Sequence, residues 1–304
     1  METQQCTLYQ AFGLFIRSEI ELPELSKISN NETLVDISIE YRDLISYWNE
    51  NVSKDYFCFI KDQSVWIHVP DAAIFCIENG NKILVSPLKE NQEDKIRLYL
   101  LGSCMGALLL QRKVIPLHGS AIVINNRAYG IVGDSGAGKS TLAASFLEKG
   151  FTLLSDDIIP ISLIDGIPMV APAYPQQKLW KESLDAFSVS SDQFSAIFDR
   201  ETKYIVPVPA SFEFNQMPLE AVFELIKGED EIVLRPLTKL EQLRKLYEHT
   251  FRSFLIERLN LLEWHFHITS AISNKAKMYQ LTRPISRFSA EELSDLILRT
   301  VHKE

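Results

Sequence analysis

Gly133-Asp134-Ser135-Gly136-Ala137-Gly138-Lys139-Ser140 decides how this chain is read, because it fits the spacing G-x-x-x-x-G-K-[ST] of a phosphate-binding loop. Glycines let the backbone turn with its N–H groups pointing inward, and a helix beginning at the loop's end adds its positive dipole end. Lys139 then sets an ammonium on the β and γ phosphates of a nucleotide, and Ser140 offers a hydroxyl to Mg2+. At ordinary glycine frequency the pattern arises by chance in roughly one chain of this length in a hundred. Its surroundings sharpen it. The apolar run Arg127 to Val132 leads into the loop, and Lys139 to about Lys149 reads as a helix stopped by Gly150. Gly133 to Ser140, with Thr141 after them, are the expected nucleotide-binding residues.

Beyond that helix, Phe151 to Leu154 reads as a strand closing in Asp156-Asp157. Such a pair is expected at the same edge of a parallel sheet as the phosphate loop, where ligands of these sheets bind. One carboxylate can hold Mg2+ while the other accepts a proton from an incoming hydroxyl, the two needs of phosphoryl transfer. A turn or helix cap is the competing reading of the pair. His118, in Pro116-Leu117-His118-Gly119-Ser120, precedes a hairpin of Ser120 to Ile124 and Arg127 to Val132 around Asn125-Asn126, within reach of the acidic pair. A structural histidine is its alternative. Lys178, Arg200 and Lys203 fall in a polar, irregular middle stretch, where they either steady a transferring phosphate or are solvated loop cations. His265 and His267 flank Phe266 in a helix, where i and i+2 point about 200° apart, so packing or surface is expected rather than a shared metal.

The chain of 304 residues is 46% apolar and 23% charged, enough for about two domains, and its 17 Phe, 10 Tyr and 4 Trp exclude a disordered polymer. A net charge of −9 supplies no general attraction for nucleic acid or an anionic membrane. The start METQQCTLYQ lacks a signal peptide's basic and apolar regions, and the longest apolar stretch, Leu98 to Leu110, is too short to span a bilayer, so a cytoplasmic protein is expected. Cys6, Cys58, Cys76 and Cys104 lie far apart without C-x-x-C spacing, which reads as buried free thiols.

In the first third, Leu34 to Ile39, Tyr56 to Ile60, Ser64 to Val69 and Ala73 to Ile77 read as strands, and Glu78-Asn79-Gly80-Asn81 turns the chain into Lys82 to Val85. Asp94 to Arg112 has a helical pattern. The expected organisation is thus a β-rich module over residues 1–92 and an α/β phosphate-loop domain over residues 93–304. In the latter, two strands surround Asp165-Gly166, a strand pair forms from Leu219 to Ile226 and Glu231 to Leu234, and helices follow from Lys239 to about Ser273 and from Ala290 to Val301.

The segment beginning at Leu117, LHGSAIVINNRAYGIVGDSGAGKSTLAASFLEKGFTLLSDDIIPI, resembles the catalytic core of HPr kinase/phosphorylase. It shares a His-Gly before the loop, a GDSGxGKS loop, a helix ending in Lys-Gly and a strand closing in Asp-Asp. The resemblance implies a P-loop serine kinase, with a fold akin to phosphoenolpyruvate carboxykinase, that phosphorylates a seryl hydroxyl with ATP and Mg2+. It implies Gly133 to Ser140 on the phosphates with Lys139 among the catalytic groups, Ser140 and Asp157 on Mg2+, Asp156 as the base, and His118 beside them. The division between Asp156 and Asp157 is open to reversal. The glycine-rich signature that HPr kinase carries downstream of the acidic pair and uses in phosphorolysis does not occur here.

The opening YQAFGLFIRSEIELPEL and the stretch Tyr174 to Trp180 resemble HPr-kinase-related proteins of peptide biosynthetic clusters, whose best-known branch phosphorylates the C-terminal serine of lasso-peptide precursors. That implies a peptide partner, and a homo-oligomer is an expectation because HPr kinases are hexameric. A phosphocarrier-protein serine kinase and a nucleotide-dependent peptide-binding module without kinase activity are the alternatives. Asp156-Asp157 and His118 weigh against the latter.

Overall fold

Short segments with apolar residues on alternate positions form a mixed sheet of eight strands in the first third of the chain, as a period of two requires. The computed structural model describes residues 6–29, 34–52, 56–198 and 200–302, with only the backbone of residues 200 and 201. The strands are β1 (Thr7–Ala11), β2 (Leu14–Ser18), β3 (Ser26–Lys27), β4 (Ile37–Tyr41), β5 (Cys58–Lys61), β6 (Ser64–Val69), β7 (Ala73–Glu78) and β8 (Lys82–Pro87). Helix α1 (Ile45–Asn51) lies between β4 and β5. Their order is β3-β1-β2-β4-β8-β7-β6-β5, with β2, β4 and β8 parallel neighbours.

The helical pattern that follows is realised as α2 (Glu93–Tyr99), a π-helical turn Leu100–Cys104 and α3 (Met105–Gln111). Every residue from Leu100 to Leu110 is buried, which is why this segment is apolar on all sides. Ile96, Leu100 and Leu108 share one buried cluster with Ile16, Phe75 and Ile83 of the first sheet and with Ile158, Tyr174 and Leu255 from later in the chain. Among the described residues no helix is long and apolar enough to cross a membrane.

The rest is β9 (Ile115–Ile124), β10 (Arg127–Val132), α4 (Lys139–Glu148), β11 (Thr152–Ile164), β12 (Ile167–Val170), β13 (Gln176–Trp180), α5 (Lys181–Ala186), β14 (Ser195–Ile197) and β15 (Arg200–Pro207). After these come β16 (Met217–Gly228), β17 (Val233–Pro236), α6 (Lys239–Glu248), α7 (Phe254–Arg258), α8 (Leu262–Lys275), β18 (Lys277–Pro284) and α9 (Ala290–Val301). Asn125 and Asn126, at φ of 50° and 60°, make the two-residue turn between β9 and β10. β10, β9, β11, β12 and β16 pair in turn and β16 returns to β10, so this part of the sheet closes on itself. Ile131, Phe146, Phe223 and Leu293 pack one face against α4 and α9, while Leu117, Val132, Leu246 and Ile268 pack the other against α6 and α8.

Four expectations are corrected. Asp156-Asp157 does not close a strand at a parallel edge: it lies inside the 13-residue β11, which runs antiparallel to β9. A register shift between Leu153 and Ser155 and a φ of 80° at Asp157 bend β11 without ending it. The irregular middle stretch contains a three-stranded sheet, β13-β15-β14. β16 and β17 do not pair with each other, because β18, unassigned from the sequence, runs parallel to β16 between them. Lastly, the helical region from Lys239 is three helices, and the loop between α6 and α7 borders the site described below.

Register explains the glycine after His118. Gly119 lies opposite Val132 on one side and Asp157 on the other, and a Cβ there would stand 2.3 Å from the Ile131 carbonyl oxygen. Since that neighbour is backbone, Gly119→Ala is expected to lower stability by about 3 kcal/mol or more, read as a fall in the urea midpoint. An unchanged midpoint would contradict this register.

Candidate active site

The phosphate loop joins the end of β10 to the start of α4 through three glycines whose φ values, 149° at Gly133, 78° at Gly136 and 104° at Gly138, are those L side chains avoid. A Cβ at Gly133 would stand 2.4 Å from the Leu225 carbonyl oxygen of β16, so the cradle closes only with glycine there. Lys139 begins α4 and folds back, donating from Nζ to the carbonyls of Gly133 (2.8 Å) and Asp134 (3.1 Å). Burial pushes its ammonium below the usual lysine range, although the Asp156 and Asp157 charges oppose this. Arg283 of β18 donates from Nε to the Ala137 carbonyl at 2.6 Å. No local motif marks Arg283, since its strand meets the loop only in the fold.

Asp156 is tied on both oxygens. Oδ1 accepts from Ser120 of β9 (2.5 Å) and from Ser140 of α4 (2.9 Å), and Oδ2 accepts from the backbone N–H of Lys178 in β13 (2.9 Å). Asp157 is less enclosed, keeping a quarter of its side-chain surface open. Its Oδ2 meets Lys178 Nζ at 2.7 Å and its Oδ1 lies 3.5 Å from His118 Nδ1. Burial pushes the Asp157 carboxyl up, but the Lys178 and His118 charges and the Lys178 hydrogen bond outweigh this and hold it well below the usual carboxylate range. Lys178 is correspondingly raised: burial lowers it, and Asp157 more than offsets that. Asp157 holds φ of 80°, a left-handed conformation that is strained for a side-chain-bearing residue within a strand.

His118 sits on β9 opposite Ile158 rather than ahead of the hairpin. Its Nδ1 faces the Asp157 carbonyl oxygen at 3.0 Å. A carbonyl only accepts, so Nδ1 carries the proton and Nε2 keeps a lone pair. Burial lowers the His118 pKa against the pull of Asp157, which favours the neutral ring.

The structure thus gathers Ser135, Gly136, Gly138, Lys139, Ser140 and Thr141 with His118, Asp156 and Asp157 around one cavity of about 870 Å³, and adds Lys178 and Lys203 from paired strands, while Gly133, Asp134 and Ala137 of the loop do not line it. Lys203 Nζ lies 5.4 Å from the centre of the Trp180 ring. Arg200 belongs to β15, but its side chain lies outside the described residues. The Thr141 hydroxyl is 2.8 Å from that of Ser183 in α5. His265 is buried against Thr250 and pushed down to about 4 by burial, whereas His267 is exposed. Cys58, Cys76 and Cys104 are buried with thiols pushed up, but Cys6 is exposed, which corrects the expectation for that residue.

Behind the loop, sequence reading missed a buried charge cluster: Glu224 of β16 accepts from His249 Nε2 (3.1 Å), Lys245 Nζ (2.9 Å) and Gln280 Nε2 (2.7 Å). Burial pushes the Glu224 carboxyl up, but these bonds outweigh it and bring it down to about 2. Glu224 lies opposite Val132, immediately before the loop.

Among the described residues no three His, Cys, Asp or Glu side chains come together as a metal cage. Ser140 and Asp156 nevertheless present two hard oxygen donors 2.9 Å apart beside the phosphate loop, a donor set that suits Mg2+ shared with phosphate.

Fold and site together define a mixed α/β phosphate-loop protein, with a β module ahead of the loop domain. No family model matches the chain. The curated relatives that match it locally are HPr kinase/phosphorylases. That of Mycoplasmopsis pulmonis is 37% identical over 70 residues, 22% of this chain and 23% of the relative. That of Treponema pallidum subsp. pallidum is 38% identical over 56 residues, 18% of each chain. The chain therefore spans less than a quarter of the length of these relatives, and the likeness points to the HPr kinase/phosphorylase family through that stretch. Among solved structures, the Hpr(Ser) kinase/phosphatase from Coxiella burnetii aligns with 62% of this chain and 94% of its own length, at 14% identity and a TM-score of 0.35.

The Asp157–Lys178 pair yields a pH prediction. A carboxyl whose folded pKa lies below its unfolded value adds stability above the unfolded pKa, about 3.9 for aspartate, and loses it as pH falls through the folded value. In Lys178→Met the burial of Asp157 is no longer countered by that ammonium, so its titration moves up in pH. Carboxyl carbon NMR across an acid titration reads this directly, and an Asp157 midpoint unmoved by the substitution would remove Lys178 as the cause.

Proposed function

We propose that this chain is an ATP- and Mg2+-dependent kinase that transfers a phosphoryl group to a serine hydroxyl of a peptide or protein. The C-terminal serine of a lasso-peptide precursor is the first acceptor to test. The observation that carries the reading is the division of labour on β11: Asp156 is closed by hydrogen bonds beside Ser140, while the adjacent Asp157 stays open to the cavity. With three hydrogen bonds on its roughly four acceptor sites, Asp156 keeps one for Mg2+ beside Ser140, whereas the ionised, more accessible Asp157 can take a proton. The roles follow as the reverse of the division stated first for the resemblance. Asp156 and Ser140 hold Mg2+, and Asp157 is the base. When bound, Mg2+ neutralises charge on the phosphates.

In the transfer, the acceptor oxygen forms its bond to the γ phosphorus as the bond to the β-phosphate oxygen breaks. The hydroxyl proton passes to Asp157, and ADP leaves. Lys139 exchanges its loop carbonyls for phosphate oxygens, and Lys178 keeps Asp157 ionised. His118 fixes the Asp157 backbone through its carbonyl. We also divide the chain into a β module of residues 1–92 and a kinase domain of residues 93–304.

A phosphocarrier protein is the second acceptor to test, because the local relatives are HPr kinases by name. The test incubates the protein with ATP, Mg2+ and either a lasso-precursor peptide ending in serine or HPr, beside an acceptor-free control, and follows mass. Asp157→Asn is expected to lower kcat by about 10²–10⁴-fold with ATP binding retained. Asp156→Asn is expected to raise the Mg2+ concentration needed for half-maximal rate. Labelling by Asp157→Asn at the wild-type rate would reject Asp157 as the base.

A further inference from the structure

We propose that Arg252 anchors a carboxylate of the phosphoryl acceptor close to the hydroxyl that receives phosphate. This rests on the kinase reading and names what the acceptor must carry.

The loop between α6 and α7 is fastened to β9 beside His118. The His118 N–H donates to the His249 carbonyl and the Phe251 N–H to the Pro116 carbonyl, both at 2.7 Å. The Phe251 and His118 rings pack with centres 5.6 Å apart. Arg252 follows directly and lines the same cavity as His118 and Asp157. Its backbone is held at φ of 56°, unfavourable for a long side chain and sustained here by the fastened loop. The guanidinium lies over the rings of Phe57 (5.1 Å) and Phe251 (5.6 Å). Nη2 donates to Ser103 Oγ at 2.8 Å, and Ser103 belongs to the π-helical turn, a distortion that recurs at functional sites.

Not every donor of this guanidinium is used. Arg252 Nε is buried with no hydrogen-bond acceptor, and among the described residues no carboxylate lies within ion-pair distance of this guanidinium. Lys178 and Lys245, by contrast, each hold a carboxylate. A buried charged donor without an acceptor is unfavourable, and a planar guanidinium fork matches a carboxylate. The phosphates already have donors elsewhere, in the loop backbone and Lys139. The rings of Phe57 and Phe251 flank Arg252, and Leu98, Tyr99 and Phe254 line the same cavity, which suits a peptide end rather than a second phosphate chain. The cavity as a whole carries six lysine and arginine side chains against four carboxylates in a chain of net charge −9, so it is locally favourable to anions.

The carboxylate can be the terminal one of a C-terminal serine or the side chain of an acidic neighbour. The test uses three degenerate peptide libraries with serine last: a free acid, a C-terminal amide, and an amide with aspartate before the serine. Each is phosphorylated by the full chain with ATP and Mg2+ and read by mass spectrometry. For the wild type the acid library, or the aspartate library if the side chain is the source, is expected to exceed the plain amide by about 30-fold in kcat/KM. That ratio is expected to fall to about one in Arg252→Gln and to an intermediate value in Arg252→Lys, which reads the same ratio if the glutamine variant does not fold. Equal rates on all three libraries by the wild type would overturn the anchor while leaving the kinase reading intact. A preference that survives both substitutions would remove Arg252 from the role. No phosphate on any library, with HPr labelled in parallel, would overturn the anchor and leave the kinase reading intact, and no phosphate on the libraries or on HPr would overturn both.

Discussion

One carboxylate, Asp156, joins three elements that the chain supplies separately. It takes a hydroxyl from Ser120 on β9, a hydroxyl from Ser140 at the start of α4 and a backbone N–H from Lys178 on β13. Each bond involves a charged acceptor in a buried setting, which makes it stronger than a neutral pair and leaves the carboxylate little freedom to turn. The phosphate loop, the acidic strand and the small three-stranded sheet are thereby set in one arrangement. Lys178 shows the effect most directly. Its backbone serves Asp156 while its side chain serves Asp157, so one residue of β13 fixes both members of the pair.

β9 is the scaffold for this. From Gly119 onward it has β10 on one side and β11 on the other, and ahead of Gly119 the side not taken by β11 is covered by the loop from His249 to Phe251. The same strand therefore carries His118 to the acidic pair and brings the α6–α7 loop to His118. Phe57, just ahead of β5, and Ser103 of the π-helical turn reach Arg252 on that loop. The β module thus touches Arg252 behind the cavity wall, and one buried cluster runs through both parts of the chain.

Much of the phosphate side of the site was legible because its chemistry is local. Eight consecutive residues define the loop, and the left-handed backbone at Gly133, Gly136 and Gly138 is the physical reason those positions are glycine. The acidic pair was legible as a pair, but its strand was misjudged. A run such as Thr152–Ile164, buried on both faces, carries no alternation, and two aspartates inside it look like an end. β18 was hidden for the related reason that its buried residues, Met278, Leu281 and Pro284, recur every third position and not every second. Lys178 and Lys203 were legible only as candidates with solvated loop cations as the alternative, and Arg283 and Arg252 carried no signal. The four come from separate segments, three strands and the α6–α7 loop, that only the fold brings to one cavity.

Lys139 shows how one of these cations is accommodated in the fold. Its ammonium is buried and its pKa lowered, yet two loop carbonyls accept from it, so the loop closes on its own lysine. Those acceptors are neutral. A phosphate that displaces them replaces weak partners with charged ones, and the exchange favours binding without requiring the lysine to be desolvated again. Arg283 meets the same need by holding the Ala137 carbonyl, which fixes the loop from outside and leaves its N–H groups for the ligand. Lys139 and Arg283 are therefore each satisfied by backbone oxygens of the loop, and the cation whose charge bears on Lys139 is Lys203 on β15.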